Sequence, residues 1–474
     1  STCLDKVTDY FFYAALSHVQ CPSTRHTSYV RMKKNLKNCS YIWVLIVLFS
    51  LHSASGNEAQ IGNKPLNIIL IMADDLGYET IGANGGESYQ TPNLDRLAAA
   101  GARFEHCYAQ PLCTPSRVQI MTGKYNIRNY TNFGLLPRKE TTFAHFLKDA
   151  GYATCIAGKW QLGAEKDSPR HFGFDEALLW QHTGDRTVKK EGVLYDTRYE
   201  NPRLERNGIS ESYTNGEYGP DLLVDFICDF IEKKKNEPFF VYYPMILPHC
   251  PFVPTPDSKE WNPESHGSPG YKGNAKYFGD MVAYMDKLVG RITENLVEQG
   301  LSDNTIVIFT GDNGTDKPVV SILNGRKVAG AKGKTTDAGT RVPLIVHCPE
   351  LVKPAVINDL LDFSDFLPTI CDLASLDVTT NSDGQSFLPQ LLGKTGEPRQ
   401  YVYSWYGKNG KNKTARVFAR THRYKLYRRG DFIDVISDVK EKSPLSIDSL
   451  NPEQIQIKAT LQGVIDKYDK TRRN

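Results

Sequence analysis

The chain has 474 residues, more than a single hydrophobic core ordinarily supports, so a large domain with a smaller companion is expected. With 40% hydrophobic residues, 23% charged residues and a formal net charge of +3, the composition is that of an ordinary soluble globular protein and excludes nucleic acid as the expected partner. The basic residues are spread along the chain. Their densest cluster, Arg31, Lys33, Lys34 and Lys37, precedes an apolar run instead of marking a binding face.

That run, Tyr41 to Leu51, suits the core of a signal peptide and falls short of the roughly 20 residues that a membrane-spanning helix needs. Ser53, Ala54, Ser55 and Gly56 follow as a cleavage region requires, and Met32 stands ahead of the lysines like an initiator. The expectation is a leader at 1–31 that is not translated, a signal peptide at 32–56, a secreted or periplasmic product and no stable membrane anchor. A buried helix or a membrane anchor is the alternative reading of the same run. Of ten cysteines, Cys3, Cys21 and Cys39 fall in this region. The other seven are an odd number, so at least one stands outside any internal disulfide, and Cys113 is the candidate. Cys107, Cys155, Cys228, Cys250, Cys348 and Cys371 lack zinc-type spacing and fit either core thiols or disulfides.

Leu66 to Met72 is a β-branched apolar run ending in Ala73-Asp74-Asp75, as expected of a strand buried on both faces of a parallel sheet. Thr91-Pro92 offers an N-cap and first-turn proline for a helix to Ala100, stopped by Gly101. The alternation continues with a helix from Phe143 to Ala150, a strand from Tyr152 to Ala157 and a helix from Pro220 to about Lys235. Phe239 to Tyr243 is the next strand and leads into Pro248-His249. A helix carrying Met281, Met285, Leu288, Ile292 and Leu296 stops at Gly300, and the strand Thr305 to Thr310 ends in Gly311-Asp312-Asn313-Gly314. The predicted fold class is α/β, a large mainly parallel sheet flanked by helices, over a domain at 64–395. The segment 396–474 reads as a small antiparallel sheet followed by a helix near Pro452 to Tyr468. The polar stretch Asp185 to Tyr218 is expected to be a surface loop bordering a substrate cleft.

In such sheets ligands collect beyond the carboxyl ends of the strands, where Asp74, Asp75, His249, Asp312 and Asn313 all fall. Asp74-Asp75 and Asp312-Asn313 form a hard-oxygen set suited to calcium or magnesium instead of zinc. Taken alone, an Asp pair after a strand is more often a cap or turn, and it is the second pair that favours a metal.

Cys113-Thr114-Pro115-Ser116-Arg117, followed by Thr122-Gly123, resembles the signature of the type I sulfatases, Cys-X-Pro-Ser-Arg with a downstream Thr-Gly. Residues from about Pro65 to Glu350 resemble that family's catalytic domain, of the alkaline-phosphatase-like fold, and the C-terminal part resembles its small sheet domain. The resemblance implies that Cys113 is oxidised by a formylglycine-generating enzyme to formylglycine, whose hydrate attacks sulfur with one hydroxyl and expels sulfate with the other. It further implies one calcium ion on Asp74, Asp75, Asp312 and Asn313, and Arg117 holding the formylglycine. Lys159 and Lys332 correspond to the lysines that clamp the sulfate, and His249 to the histidine that protonates the leaving alcohol. Lys332, not Lys334, matches the family spacing counted back from Arg341. Gln161 departs from the family's usual histidine in Gly158-Lys159-Trp160-Gln161-Leu162-Gly163; it can bind a substrate but cannot titrate. The expected substrate is a sulfated carbohydrate. A phosphate or phosphonate monoesterase of the same superfamily and a silent protein that binds sulfated glycans are the alternatives. Specificity is expected in loops 185–218 and 253–275.

Overall fold

The computed structural model describes residues 64–472 except 267 and 378–380. The predicted leader (1–31) and signal segment (32–56) lie outside the described residues. In chain order the strands are β1 Asn67–Ala73, β2 Ala102–Tyr108, β3 Ala153–Lys159, β4 Glu176–Trp180, β5 Thr187–Lys190, β6 Val193–Asp196, β7 Arg203–Arg206, β8 Ile209–Ser212, β9 Phe239–Pro244, β10 Thr305–Gly311, β11 Val320–Leu323, β12 Arg326–Ala329, β13 Arg341–Val342, β14 Leu344–His347, β15 Ala355–Asp362, β16 Val402–Tyr406, β17 Arg416–Arg420, β18 Tyr424–Tyr427 and β19 Phe432–Asp434.

The large sheet runs β13-β2-β14-β10-β1-β9-β3-β4-β7-β8, with β15 also on β2. Its centre, β10-β1-β9-β3-β4, is parallel, and β14 and β7 pair antiparallel to either side of it. Every residue of β1, β3, β9 and β10 is buried, as a strand covered on both faces must be. The period of two shows directly along β1: Ile68, Leu70 and Met72 enter one core, and Ile69, Ile71 and Ala73 the other. The second core receives the helices Gly219–Lys234 and Phe278–Glu298 through Leu223, Phe230, Met281 and Leu288. The first receives helices Cys113–Thr122, Phe143–Asp149 and Phe366–Leu373. It also takes in Tyr403, Trp405 and Leu426 of the antiparallel sheet β16-β17-β18-β19, and Leu461 and Ile465 of the helix Pro452–Asp469.

Two expectations change. Thr91 precedes the helix Pro92–Ala100, but its hydroxyl accepts from the Gly82 amide and donates to Asp95 instead of capping that helix. The stretch predicted as a loop, 185–218, contains two hairpins, β5–β6 and β7–β8, and β7 extends the main sheet by pairing with β4. Their turns are Glu191-Gly192 (φ 48° and 87°) and Asn207-Gly208 (φ 50° and 82°), left-handed pairs that match the twist of a tight hairpin. β2 was also unexpected, because Arg103, Glu105 and His106 interrupt its apolar pattern. Among the described residues the seven cysteines are all unpaired, and no helix is long and apolar enough to cross a membrane.

A buried ion cluster ties the segment leading into β16 to the end of β15. Arg399 donates from Nε to Asp365 Oδ2 at 3.0 Å, from Nη1 to the Tyr125 hydroxyl at 2.6 Å and from Nη2 to Ser364 Oγ at 3.2 Å, with Asp362 3.5 Å away. Arg399→Met would leave two buried carboxylates without their counter-charge and is expected to destabilise by about 3–5 kcal/mol, read as a lowered urea midpoint.

Glu200 is 4% exposed, and burial pushes its carboxyl up to about 7. A carboxyl raised on folding contributes stability that is present below its unfolded pKa and lost as pH rises through the folded value. Glu200→Gln is therefore expected to match the parent near pH 4 and to exceed it by up to about 3 kcal/mol at pH 8, measured by urea unfolding at both pH values.

Candidate active site

Four parallel strands deliver their chemistry to one edge. The register Ala73↔Gly311 and Met72↔Pro244 sets Asp74-Asp75, just past β1, beside Asp312-Asn313, just past β10. His249 follows β9, and Lys159 is the last residue of β3. Gly158, immediately before Lys159, has φ 125° and lies so near β9 that a Cβ would come within 2.0 Å of the Pro244 carbonyl oxygen. Only glycine lets β3 bring Lys159 this close.

Cys113 opens the helix Cys113–Thr122, all ten residues of which are buried. Each position of its motif has a local task. Pro115 occupies the first turn, where no backbone donor is missed, and its carbonyl accepts from Asn126 at 3.0 Å. Ser116 Oγ accepts from the Gln110 amide at 3.0 Å and donates back to the Gln110 carbonyl at 3.1 Å, pinning the approach to the helix. Arg117 turns away from the helix to the carbonyls of Lys159 and Trp160. Thr122 Oγ1 bonds the Val118 carbonyl at 2.6 Å, and Gly123 at φ 64° ends the helix with its amide on Gln119. The motif thus holds Cys113 at the positive end of a fixed dipole, a favourable place for an anion.

Beneath the cleft Asp74, Asp75, Asp312 and Asn313 are each 0% exposed. Lys159 Nζ lies 2.7 Å from Asp74 Oδ2, and Lys332 Nζ 2.5 Å from Asp75 Oδ2. The Asp75 amide donates to Asp312 Oδ1 at 2.9 Å, and Asn313 Nδ2 to Asp75 Oδ1 at 2.8 Å. Asp74 Oδ1, Asp312 Oδ2 and Asn313 Oδ1 remain buried without a hydrogen-bond partner, as do Arg117 Nε and Nη2. Unsatisfied buried oxygens are costly, so three of them in one floor point to a cation as the missing partner. Electrostatics agree. Burial pushes Asp74 up, but the charges of Lys159 and Lys332 outweigh it and hold the carboxyl below its usual range. Asp312 rises well above that range through burial and the Asp74 charge, a conflict that a bound cation relieves.

His249 Nε2 stands 3.0 Å from Lys332 Nζ and 3.6 Å from Asp75, and Nδ1 is 2.7 Å from Arg198 Nη1. Burial and the Lys332 charge push the imidazole well below its ordinary value, so the ring is neutral in the empty cleft. Burial likewise raises the Cys113 thiol, although Lys159 opposes it, and an unmodified cysteine here is an unreactive thiol. Its Sγ lies 3.5 Å from Gln161 Oε1. Asp75 and Gln161 have left-handed φ values of 66° and 49°, local strain of about 1–3 kcal/mol each, concentrated at the site.

Above this floor is a cleft of about 230 Å³ lined by Cys113, Lys159, Gln161, His249 and Lys332, all expected, together with Leu112, Phe133, Trp180, Gln181, Arg186, Arg198, Tyr271 and Lys408. Lys332 reaches it and Lys334 does not. Arg198 is the principal residue that the sequence did not single out. It is buried, paired with Asp196 at 2.8 Å, stacked over Trp180 at 4.1 Å and in contact with His249. It comes from the segment expected to border the cleft, yet no motif marks it; only its spatial pairing does.

The family profile described as "Sulfatase" matches residues 66–376, and that described as "N-sulphoglucosamine sulphohydrolase, C-terminal" matches residues 332–469. The chain is 31% identical over 401 residues to arylsulfatase A of Homo sapiens, covering 77% of this chain and 75% of that one. It is 30% identical over 450 residues to the N-acetylgalactosamine-6-O-sulfatase of Bacteroides thetaiotaomicron, covering 77% and 85%. The crystal structure of Ps i-CgsB superposes with a TM-score of 0.71 at 26% identity, over 86% of this chain and 94% of that one. The chain belongs to the sulfatase family, as a type I sulfatase of the alkaline-phosphatase-like superfamily and an enzyme of sulfate-ester hydrolysis.

Proposed function

We propose that this sulfatase acts on sulfated carbohydrate, through Cys113 after its conversion to formylglycine and with one calcium ion held by Asp74, Asp75, Asp312 and Asn313. The observation that carries the reading is the set of partnerless buried oxygens on Asp74, Asp312 and Asn313 beside the Cys113 helix. His249 is within ligand reach of Asp74 and Asp75, but it faces the cleft and Lys332 and is assigned to the substrate. When present, the two groups would supply a hydroxyl nucleophile with a second hydroxyl to expel sulfate, and a dication that favours ionisation of the diol.

The remaining work falls to side chains. Lys159 and Lys332 aim fixed charge at the sulfate oxygens as negative charge develops there. Arg117, with two unpaired donors, orients the residue at position 113. An incoming sulfate offsets the charges of Lys332 and Arg198 around His249, raising the ring's affinity for the proton that it delivers to the leaving alcohol. Phe133 and Tyr271 at the rim, under Lys408 and Arg186 respectively, suit the apolar face and the charged substituents of a sulfated sugar. The galactosamine sulfatase among the relatives supports the same substrate class. We take 64–395 as the catalytic domain and 396–474 as a supporting one. The basic and apolar stretch before residue 56 supports export, to a secreted or periplasmic site, with a formylglycine-generating enzyme as maturation partner.

The protein co-produced with a formylglycine-generating enzyme is expected to release sulfate from an aryl sulfate and from sulfated polysaccharides. Cys113→Ala should abolish release. Chelation should both stop release and lower the unfolding midpoint, restored by calcium; confirmed aldehyde at position 113 with no release would sink the proposal. Because Gln161 cannot titrate, Gln161→His is expected to raise kcat and to add an ionisation near pH 6.5 to the kcat profile, measured by sulfate release from pH 5 to 9.

A further inference from the structure

A second cleft, of about 560 Å³, opens between residues Lys334–Thr336 and the sheet strands β17 and β18. Lys334, Lys413, Arg416, Arg428 and Arg429 line it, with Glu441 as its carboxylate. Glu441 is already occupied, bonded by Lys425 at 2.8 Å and by the Tyr427 hydroxyl. Arg428 and Arg429 are paired with Asp469 and Asp431. Lys334, Lys413 and Arg416 are exposed and have no ion pair among the described residues, which leaves three positive charges without a counter-charge there around a concave surface.

This cleft is tied to the Cys113 cleft by two chain segments. Lys332 lines the first and Lys334 the second, with Cα atoms at most about 7.6 Å apart. Lys408 lines the first and Lys413 the second, five residues along one loop. The shared segment is fixed in place: buried Lys425 donates to the Thr335 carbonyl, the Tyr427 hydroxyl lies 2.9 Å from Thr335 Oγ1, and Arg420 pairs with Asp337. The spacing between the two positive clefts is therefore built in.

We propose that the second cleft is an anion subsite that holds another sulfate of the same substrate chain while the first is cleaved, so the preferred substrate is a multiply sulfated oligosaccharide. The proposal rests on the sulfate-ester reading of the Cys113 cleft and extends it. A sulfate captured at Lys334, Lys413 and Arg416 makes presentation of the next ester intramolecular, raising its effective concentration without a new contact at the reacting centre.

The test uses the formylglycine-bearing enzyme with 4-nitrophenyl sulfate as substrate and a fully sulfated heparin hexasaccharide as competitor. In the triple variant Lys334→Gln, Lys413→Gln, Arg416→Gln, the hexasaccharide inhibition constant should rise tenfold or more, with kcat and KM for the aryl sulfate unchanged. A control lacking three lysines that line neither cleft, Lys233→Gln, Lys353→Gln, Lys394→Gln, should bind like the parent. An unchanged inhibition constant, or equal weakening in the control, overturns the subsite. If the parent does not hydrolyse the aryl sulfate, it is the sulfate-ester reading that fails; calorimetric binding of the hexasaccharide to the parent, triple variant and control then decides the subsite by the same criterion.

Discussion

Three aspartates closed off from water at the end of one sheet repel one another, and this repulsion sets the terms for the rest of the molecule. Asp74, Asp75 and Asp312 are tolerable together only because Lys159, Lys332 and Arg117 are brought against them from three other parts of the chain. The parallel order β10-β1-β9-β3 places the carboxylates and Lys159, and the buried helix Cys113–Thr122 places Arg117. Gly158 and the left-handed turn at Asp75 are local concessions to the same crowding. The unfilled oxygen valences left over are those that the proposed hard cation would take up.

The same charges decide which protons are available. Burial with Lys332 and Arg198 empties His249 of its proton before a substrate arrives, and burial keeps Cys113 a neutral thiol. On the proposed reading, an anion entering between these groups would reverse the balance at His249, so the acid would be created by the substrate that needs it. Gln161 fits this economy of charge: it offers Cys113 a hydrogen-bond acceptor and adds no further cation to a site already crowded with them.

Much of this was legible in the sequence, for identifiable reasons. A strand buried on both faces must be a continuous apolar run, so β1, β9 and β10 stand out, and the polar residues that end them fall at the sheet's carboxyl edge. The Cys113 motif is contiguous because it builds one helix, and contiguity makes it readable. Arg198 was not legible, because its importance lies in facing His249 across 51 positions of chain. β2 was hidden by the charges it carries, Arg103 and Glu105, which pair with each other at 2.7 Å on a strand flanked by β13 and β14 on one side and by β15 on the other. The hairpins within 185–218 were missed although Asn207-Gly208 is a strong turn signal, since β5 to β8 are short and largely polar.

The loop from Lys332 to Asp337 is gripped by Arg420, Lys425 and Tyr427, residues of the small sheet, while its first side chain reaches into the floor of the large one. The small sheet is thus no detachable module. A chain cut after residue 395 would keep every residue of the sulfatase signature and lose the frame that holds Lys332 in register with Asp75. Exchanging C-terminal portions between relatives, to graft a new specificity, would meet the same obstacle: the loop and the sheet that holds it have to travel together.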